Sequence, residues 1–201
     1  MLDHTKEKER VILKAARERF AHFGFSKVTM DEIAKDVDMG KASLYYYFPT
    51  KESVFRSVIQ QEQNHFIEVV DQILAKNISV SQKLSEYVEK RLEVFQDLLN
   101  LGTLHVHSYF DAKSIYQNLF DDFHNQELMI MKRLFLEGKK KGEFKKSTSK
   151  DAPQLLLHVL QGLRIRILRK LRGAKSDTKH LHQLKNEMSL FINIFLEGIK
   201  A

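Results

Sequence analysis

Proline and glycine, the residues that most often interrupt regular backbone structure, are scarce in this chain of 201 residues. Two prolines occur, Pro49 and Pro153, together with eight glycines. Leucine, lysine, glutamate and glutamine are plentiful, and long runs of alternating β-branched residues are absent. Strong helix formers without strand signals are typical of helical proteins. We therefore predict an all-α fold of about nine helices.

The composition also bears on the class of protein. The chain is long enough to bury a core, and 43% of its residues are hydrophobic. No segment approaches the roughly 18 uninterrupted apolar residues of a membrane helix, and the polar start MLDHTKEKER does not resemble a secretory signal. With no cysteine, disulfides and thiolate chemistry are excluded. We expect a cytoplasmic protein without a membrane segment.

The net charge of +7 is unevenly distributed. Residues 1–131 carry 16 basic and 20 acidic side chains, whereas residues 132–185 carry 16 basic and 4 acidic ones. The lysines at positions 139–141 and 145–146 are most simply a solvated helix end and loop, because cations are favourable at a helix C-terminus. Whether the basic segment binds anything is left open.

The first fifty residues contain the signals of three helices. Apolar residues recur at helical spacing over about residues 5–23. Thr29 and Glu32 then form a capping-box pattern that begins a second helix. A break at residues 38–40 separates it from a third helix, which Pro49 ends. Two short helices joined by about three residues indicate a helix-turn-helix.

The third helix lies in the stretch KASLYYYFPTKE, residues 41–52. On a helical projection Leu44 and Phe48 share one side. The opposite side carries Ala42, Ser43 and Tyr46, and the flanks carry Tyr45 and Tyr47. If the apolar pair enters the core, Tyr46 points out of it, and we expect a partner outside the protein to explain it. A core helix rich in aromatic residues is the alternative.

The remaining sequence predicts a larger helical region. Thr50 is placed to cap a long helix that continues to about Lys76. Polar breaks are predicted at residues 77–79, 100–102, 111–114 and 142–150. The last two helices are expected over about residues 151–172 and 178–197.

An ordered set of residues resembles the N-terminal domain of TetR/AcrR-type transcriptional regulators over residues 8–59. Its members are Phe20, Phe23, Gly24, Thr29, Ile33, Ala34, Leu44, Tyr45, Tyr46, Tyr47, Phe48, Lys51, Glu52 and Phe55. Beyond that stretch the resemblance is architectural. It implies a helix-turn-helix DNA-binding domain over residues 1–50, with its motif at about 29–48. It also implies a ligand-binding and dimerisation domain over residues 51–201, whose last two helices form the dimer interface.

The resemblance further implies a homodimer that places two recognition helices in successive major grooves of a palindromic operator. The DNA contacts carried over are Thr29, Lys41, Ala42, Ser43, Tyr45, Tyr46, Tyr47 and Lys51. This chain departs from the family pattern at Asp38, where glycine is usual, and at Gly40, where serine is usual. Aspartate tolerates a left-handed turn, so we expect the fold to persist. Glycine is an acceptable cap but lacks a hydroxyl for phosphate, so we expect weaker DNA affinity.

An effector pocket is expected in the C-terminal region. Its candidate residues are Phe95, Leu98, His105, Tyr109, Phe110 and Arg164. The aromatic stretch fits a mostly apolar pocket but equally fits bundle core. Arg164 lies amid leucines and needs a partner, either an internal ion pair with Glu187 or Glu197 or the acidic group of an effector. An arginine among apolar residues fits an amphipathic acid.

Signals for a metal site, a cofactor or an enzyme are weak. His105 and His107 are two residues apart, a spacing that diverges on a helix, and no cysteine accompanies them. A Gly-rich phosphate loop, a cysteine nucleophile and a convincing Ser-His-Asp arrangement are absent from the sequence. We predict no metal, no cofactor and no enzymatic activity.

These features predict a ligand-responsive transcriptional regulator. It is expected to act as a repressor that binds double-stranded operator DNA as a homodimer and is released by a small-molecule effector. The first alternative is a nonspecific, architectural DNA-binding protein, against which stands the lack of excess positive charge in residues 1–131. The second is a helical lipid or acyl-group carrier, which would not explain why Tyr46 points outward from the helix.

Overall fold

The computed structural model describes the backbone of residues 2–100, 106–170 and 178–201, and the side chains of residues 5–94, 121–163 and 182–201. Within this part of the chain the regular structure is helical, apart from one isolated antiparallel bridge between Phe144 and Lys200. The eight helices are α1 (Leu2–Phe23), α2 (Met30–Asp36), α3 (Lys41–Tyr47), α4 (Lys51–Ala75), α5 (Val80–Asn100), α6 (Val106–Lys140), α7 (Ala152–Lys170) and α8 (Thr178–Ile199). The predicted all-α fold is confirmed.

The predicted break at residues 111–114 is wrong, because α6 continues through it from Val106 to Lys140. The break was predicted from polarity alone. Polar residues on a helix surface do not change the backbone, and this stretch contains neither glycine nor proline. One long helix in place of two accounts for eight helices rather than about nine.

Local sequence signals set several helix ends. Gly24, just after α1, has a φ of 79°, and its amide donates to the Phe20 carbonyl at 3.0 Å. At the start of α4 the Ser53 amide donates to Thr50 Oγ1 at 3.0 Å, and the Thr50 amide donates to Ser53 Oγ at 3.2 Å. The reciprocal bonds satisfy two amides that a helix start leaves unpaired. The predicted cap at Thr50 is confirmed.

The described chain packs as two compact units. The first unit contains residues 1–65 and 95–119, and the second contains residues 66–94 and 120–201. Helix α4 therefore carries residues of both units. The functional boundary predicted near residue 50 stays a prediction.

In the first unit α1 packs on α2, and α2 packs on α3. The core beneath them is aromatic. The ring of Phe20 lies 5.8 Å from that of Phe25 and 5.1 Å from that of Phe55. Other buried residues of this core are Ile12, Ala16, Val28, Ile33, Ala34, Leu44, Val54 and Val58. The aromatic cluster therefore ties α1 and the segment that follows it to the first turns of α4.

In the second unit α7 packs on α8. The loop between α6 and α7 joins three helix ends. The Glu143 carboxylate accepts hydrogen bonds from the amides of Val80, at 2.7 Å, and Ser81, at 3.3 Å, at the start of α5. The Lys145 amide donates to the Ile199 carbonyl at 2.8 Å. An anionic side chain at a helix N-terminus is stabilising, so this loop caps α5 from a distance.

Gly138 lies where α6 meets the ring of Phe144, and alanine is expected to destabilise this site. An added Cβ would overlap the ring, with Cε2 only 2.5 Å away, and the ring is itself buried and 5.6 Å from that of Phe135. Overpacking of this kind costs about 1–3 kcal/mol. Urea denaturation of Gly138→Ala should show this loss. The control is Gly162→Ala in α7, where nothing lies within 4 Å; it should be neutral or stabilising. Equal stabilities of the two variants would contradict this packing.

Candidate nucleic-acid interface

The turn between α2 and α3 is built around Asp38. Its φ is 49°, the left-handed region expected at this position, where the family usually has glycine. The Met39 amide then donates to the Ala34 carbonyl at 2.9 Å, which closes the turn. The turn therefore survives the departure from glycine, as predicted.

The start of α2 has the predicted capping box. The Glu32 amide donates to Thr29 Oγ1 at 3.3 Å, while the Thr29 amide and hydroxyl donate to Glu32 Oε2, each at 2.8 Å. The bond from the Thr29 backbone is the main cause that lowers the pKa of Glu32, so this carboxylate stays ionised. The Thr29 hydroxyl is thus engaged within the protein.

Arg19 fastens α2 to α1. Its Nη2 donates to Asp36 Oδ1 at 2.8 Å, and its Nη1 lies 3.3 Å from Glu32 Oε1. Hydrogen bonding from Arg19 lowers the pKa of Asp36. These contacts fix the orientation of α2 relative to α1. They were not predicted from the sequence. Arg19 and Asp36 are 17 residues apart, so no spacing rule of a single helix indicates them.

Helix α3, the predicted recognition helix, has the two faces that the sequence predicts. Leu44 is fully buried, and Phe48, the C-cap residue of α3, is 7% exposed. Tyr46 on the opposite side is 81% exposed. Tyr45 is 41% exposed, Tyr47 is half-buried, and the rings of Tyr46 and Tyr47 are perpendicular with centroids 5.3 Å apart. The aromatic-core alternative for this helix is therefore wrong.

The small residues of α3 lie on the exposed side with Tyr46. Ala42 and Ser43 are both exposed. Gly40 caps the helix without a side-chain hydrogen bond, in an extended conformation. Short side chains on an open helix face, beside a tyrosine, can approach base edges in a major groove.

The two lysines predicted to contact DNA have partners within the protein. Lys41 Nζ lies 2.8 Å from Asp31 Oδ1, and this hydrogen-bonded pairing raises the pKa of Lys41. Lys51 Nζ donates to the Phe25 carbonyl at 3.0 Å and lies 4.5 Å from the centre of the Phe25 ring. Like Thr29, both lysines therefore already have hydrogen-bond partners within the protein.

The effector candidates cannot be placed as a site. His105 lies outside the described residues. The backbones of Phe95 and Leu98 belong to α5, those of Tyr109 and Phe110 to α6, and that of Arg164 to α7. The side chains of all five are outside the described residues, so the pocket stays a prediction.

A buried charged cluster in the second unit was missed. Arg91 donates to Glu127 through Nε at 2.6 Å and through Nη2 at 3.0 Å, and the Tyr87 hydroxyl also donates to Glu127. Tyr87 and Glu127 are each 1% exposed. Burial raises the pKa of Tyr87 well above its usual value. One pattern in the sequence indicates this cluster. Arg91 follows Tyr87 by four residues, which places it on the face of α5 that also carries the buried Leu84 and Val88.

Two absences concern the described part of the chain alone. None of its helices is both long and apolar enough to span a membrane. No three of its histidine, aspartate and glutamate side chains are arranged to hold a metal ion.

Comparison with known proteins places both halves of the chain in one family. Residues 12–58 match the sequence profile described as bacterial regulatory proteins, tetR family. Residues 79–201, more than half of the chain, match the profile described as QacR-like protein, C-terminal region. The helix-turn-helix and the chain from α5 onward thus each have family counterparts.

Individual relatives agree. The crystal structure of a transcriptional regulator from Cytophaga hutchinsonii is 37% identical, with a TM-score of 0.88 over 96% of this chain and 99% of that one. RutR of Escherichia coli K12, an HTH-type transcriptional regulator, is 30% identical over 90 residues. That match covers 45% of this chain and 42% of RutR.

A third relative matches nearly end to end. IcaR of Staphylococcus aureus Newman, the negative transcriptional regulator of the biofilm operon icaADBC, is 26% identical over 89% of this chain and 93% of IcaR. These relatives are transcriptional regulators rather than enzymes. The chain itself belongs to the TetR family of bacterial regulatory proteins.

Proposed function

We propose that this protein is a ligand-responsive transcriptional repressor that binds a palindromic operator as a homodimer. The observation that carries the proposal is the face of α3, where Tyr46 is 81% exposed directly opposite the buried Leu44. Within the described part of the chain its ring contacts that of Tyr47 edge-on and is otherwise open to solvent. A DNA groove would cover the exposed side of this ring.

In this proposal α3 enters the major groove. Ala42 and Ser43 approach base edges and thymine methyl groups, which carry the sequence information. The Tyr46 ring lies along a sugar while its hydroxyl reaches a phosphate, and Tyr47 supports the ring edge-on. Thr29 and Lys51 bind phosphates and set the register of the helix, and for this Thr29 exchanges the hydrogen bond that its hydroxyl donates to Glu32 for one to a phosphate.

A homodimer through α7 and α8 is supported by apolar side chains that these helices expose. Leu155 of α7 is 56% exposed, and Leu190 and Ile194 of α8 are 61% and 64% exposed. Leu190 and Ile194 are four residues apart and share one face of α8. Burying the exposed part of such side chains against a second copy favours association by about 1–2 kcal/mol for each side chain fully covered.

Repression and release by an effector complete the proposal. The printed name of IcaR describes a negative regulator, which favours repression here. An amphipathic acid is the proposed effector, with Arg164 as its charged contact. Effector and operator must prefer different arrangements of the dimer, since a ligand indifferent to the arrangement switches nothing. Helix α4 is the proposed connection, because it carries residues of both units.

The test is selection of genomic fragments by the purified protein at near-physiological salt, followed by sequencing. We expect enrichment of a short inverted repeat. Recovery without sequence preference would favour the architectural alternative, although residues 1–65 carry only eleven basic against ten acidic side chains. Retention of no DNA would contradict both interpretations.

Replacing Tyr46 by alanine should weaken binding to the selected fragment by about 1–3 kcal/mol per protomer, roughly five- to 150-fold, because the main exposed contact of α3 is lost. The melting temperature of the Tyr46→Ala variant should stay close to that of the wild type, since truncating a surface side chain usually changes stability little. Fluorescence anisotropy with a labelled fragment measures the affinity. Met129→Ala is the control, because it also truncates an exposed large side chain. Met129 is 72% exposed and lies in the second unit. Equal affinities of the two variants would contradict the role of Tyr46.

A further inference from the structure

Asp31 stands out among the carboxylates of α2 because of its partner. Glu32 caps the helix through Thr29, and Asp36 holds Arg19, so both stabilise the fold. Asp31 instead lies 2.8 Å, through Oδ1, and 3.0 Å, through Oδ2, from the ammonium of Lys41. Lys41 is the first residue of the recognition helix.

The pair is open to solvent. The side chains of Asp31 and Lys41 are 61% and 62% exposed. An exposed pair of this kind contributes little to folding stability. Its position, between the first turn of α2 and the first turn of α3, places it on the face that the proposed function turns toward the groove.

We infer that Asp31 is a positioning residue that sets how strongly this protein distinguishes its operator from other DNA. The inference rests on the proposed function and deepens it. The carboxylate holds Lys41 at the start of α3 instead of leaving it to extend toward the nearest phosphate. A lysine ammonium has three donors, so Lys41 can keep Asp31 and still donate to a base acceptor. Guanine O6 and N7 are such acceptors in the major groove.

On DNA without that acceptor the pair works against binding. Lys41 stays neutralised by Asp31, and the protein gains no phosphate contact from it. Sequence-independent affinity comes mainly from phosphates neutralised by lysine and arginine. Asp31 therefore lowers affinity for random DNA while sparing the operator complex, in agreement with the net charge of only +1 over residues 1–65.

The experiment measures the salt dependence of binding to a random-sequence duplex. It compares the wild type, Asp31→Asn, Lys41→Met and the double variant. Asparagine keeps the shape of the side chain and removes its charge. Glu18→Gln is the matched control, because it makes the same change of charge at an exposed residue of α1. Thermal melts verify that every variant is folded.

We expect Asp31→Asn to bind random duplex about two- to fivefold more tightly per protomer. The slope of log K against log salt should steepen by up to about 0.9 per protomer, because Lys41 then neutralises a phosphate. The double variant should return to the wild-type slope. Lys41→Met alone should not steepen the random-duplex slope, and it should weaken binding to random duplex because the Asp31 carboxylate is left unpaired beside the phosphates. The loss should be larger on the selected fragment, where the base contact is also removed, so that the preference for that fragment falls in both single variants.

Two results would overturn the inference. One is an unchanged slope in Asp31→Asn. The other is an equal steepening in Glu18→Gln, which would reduce the effect to net charge. Failure of the fragment selection to give an inverted repeat contradicts the proposed function instead, and the slopes on random duplex still separate the variants in that case.

Discussion

Replacing Glu127 by glutamine is expected to lower the free energy of unfolding by about 3–5 kcal/mol, because it leaves the Arg91 guanidinium without its counter-charge. Glu127 is 1% exposed and accepts from Arg91 at 2.6 and 3.0 Å. Glutamine fills nearly the same volume, so the loss reports charge rather than a cavity. Urea denaturation followed by circular dichroism measures it.

Two further variants separate the charge from the packing. Tyr87→Phe removes one hydrogen bond to Glu127 and should cost only about 1–2 kcal/mol. The triple variant Tyr87→Phe, Arg91→Met and Glu127→Leu removes both charges together with the hydroxyl that would otherwise lose its acceptor, and it should recover most of the loss, since buried ion pairs are often replaceable by apolar residues of similar volume. A Glu127→Gln protein as stable as the wild type would show that water reaches the pair.

Replacing Leu44 by alanine is expected to destabilise the first unit by about 2–5 kcal/mol and to abolish binding to the selected DNA fragment. Leu44 is the fully buried residue of α3, a helix of seven residues. A helix that short does not persist in water without tertiary packing. Loss of the anchor therefore removes the surface that carries Ala42, Ser43 and Tyr46.

Ser43→Ala, at the neighbouring exposed position, is the control for stability. Its unfolding free energy should stay within about 0.5 kcal/mol of the wild type. Urea denaturation and fragment binding are measured on both variants. A Leu44→Ala protein that is destabilised but binds the fragment with wild-type affinity would show that α3 is held by something other than this side chain.

The features that the sequence predicted correctly are local ones. Thr29 and Glu32 are three residues apart, so their capping box follows from the spacing. The left-handed turn at Asp38 follows from the residues that tolerate it. The outward position of Tyr46 follows from the helical period and the apolar Leu44. Each of these required information from a single turn or helix.

The features that were missed join segments distant in the sequence. Asp31 and Lys41 are 10 residues apart, Lys51 and Phe25 are 26 apart, and Arg91 and Glu127 are 36 apart. Such contacts depend on how helices pack, which periodicity does not specify. The ion pair of Arg91 on α5 was therefore not predicted, whereas Arg164 on α7 stands out in the sequence because its helical neighbours are leucines.

The two caps of α5 become available at different times during synthesis. Ser79 and Gln82 cap the helix from within, since the Gln82 amide donates to Ser79 Oγ at 3.2 Å and the Ser79 amide donates to Gln82 Oε1 at 3.1 Å. Glu143 follows Val80 by 63 residues. At 5–20 residues per second, a ribosome adds them in roughly 3–13 s. During that interval the nascent α5 relies on its local cap, and only after the α6–α7 loop has emerged can its first turn be fixed to the rest of the second unit.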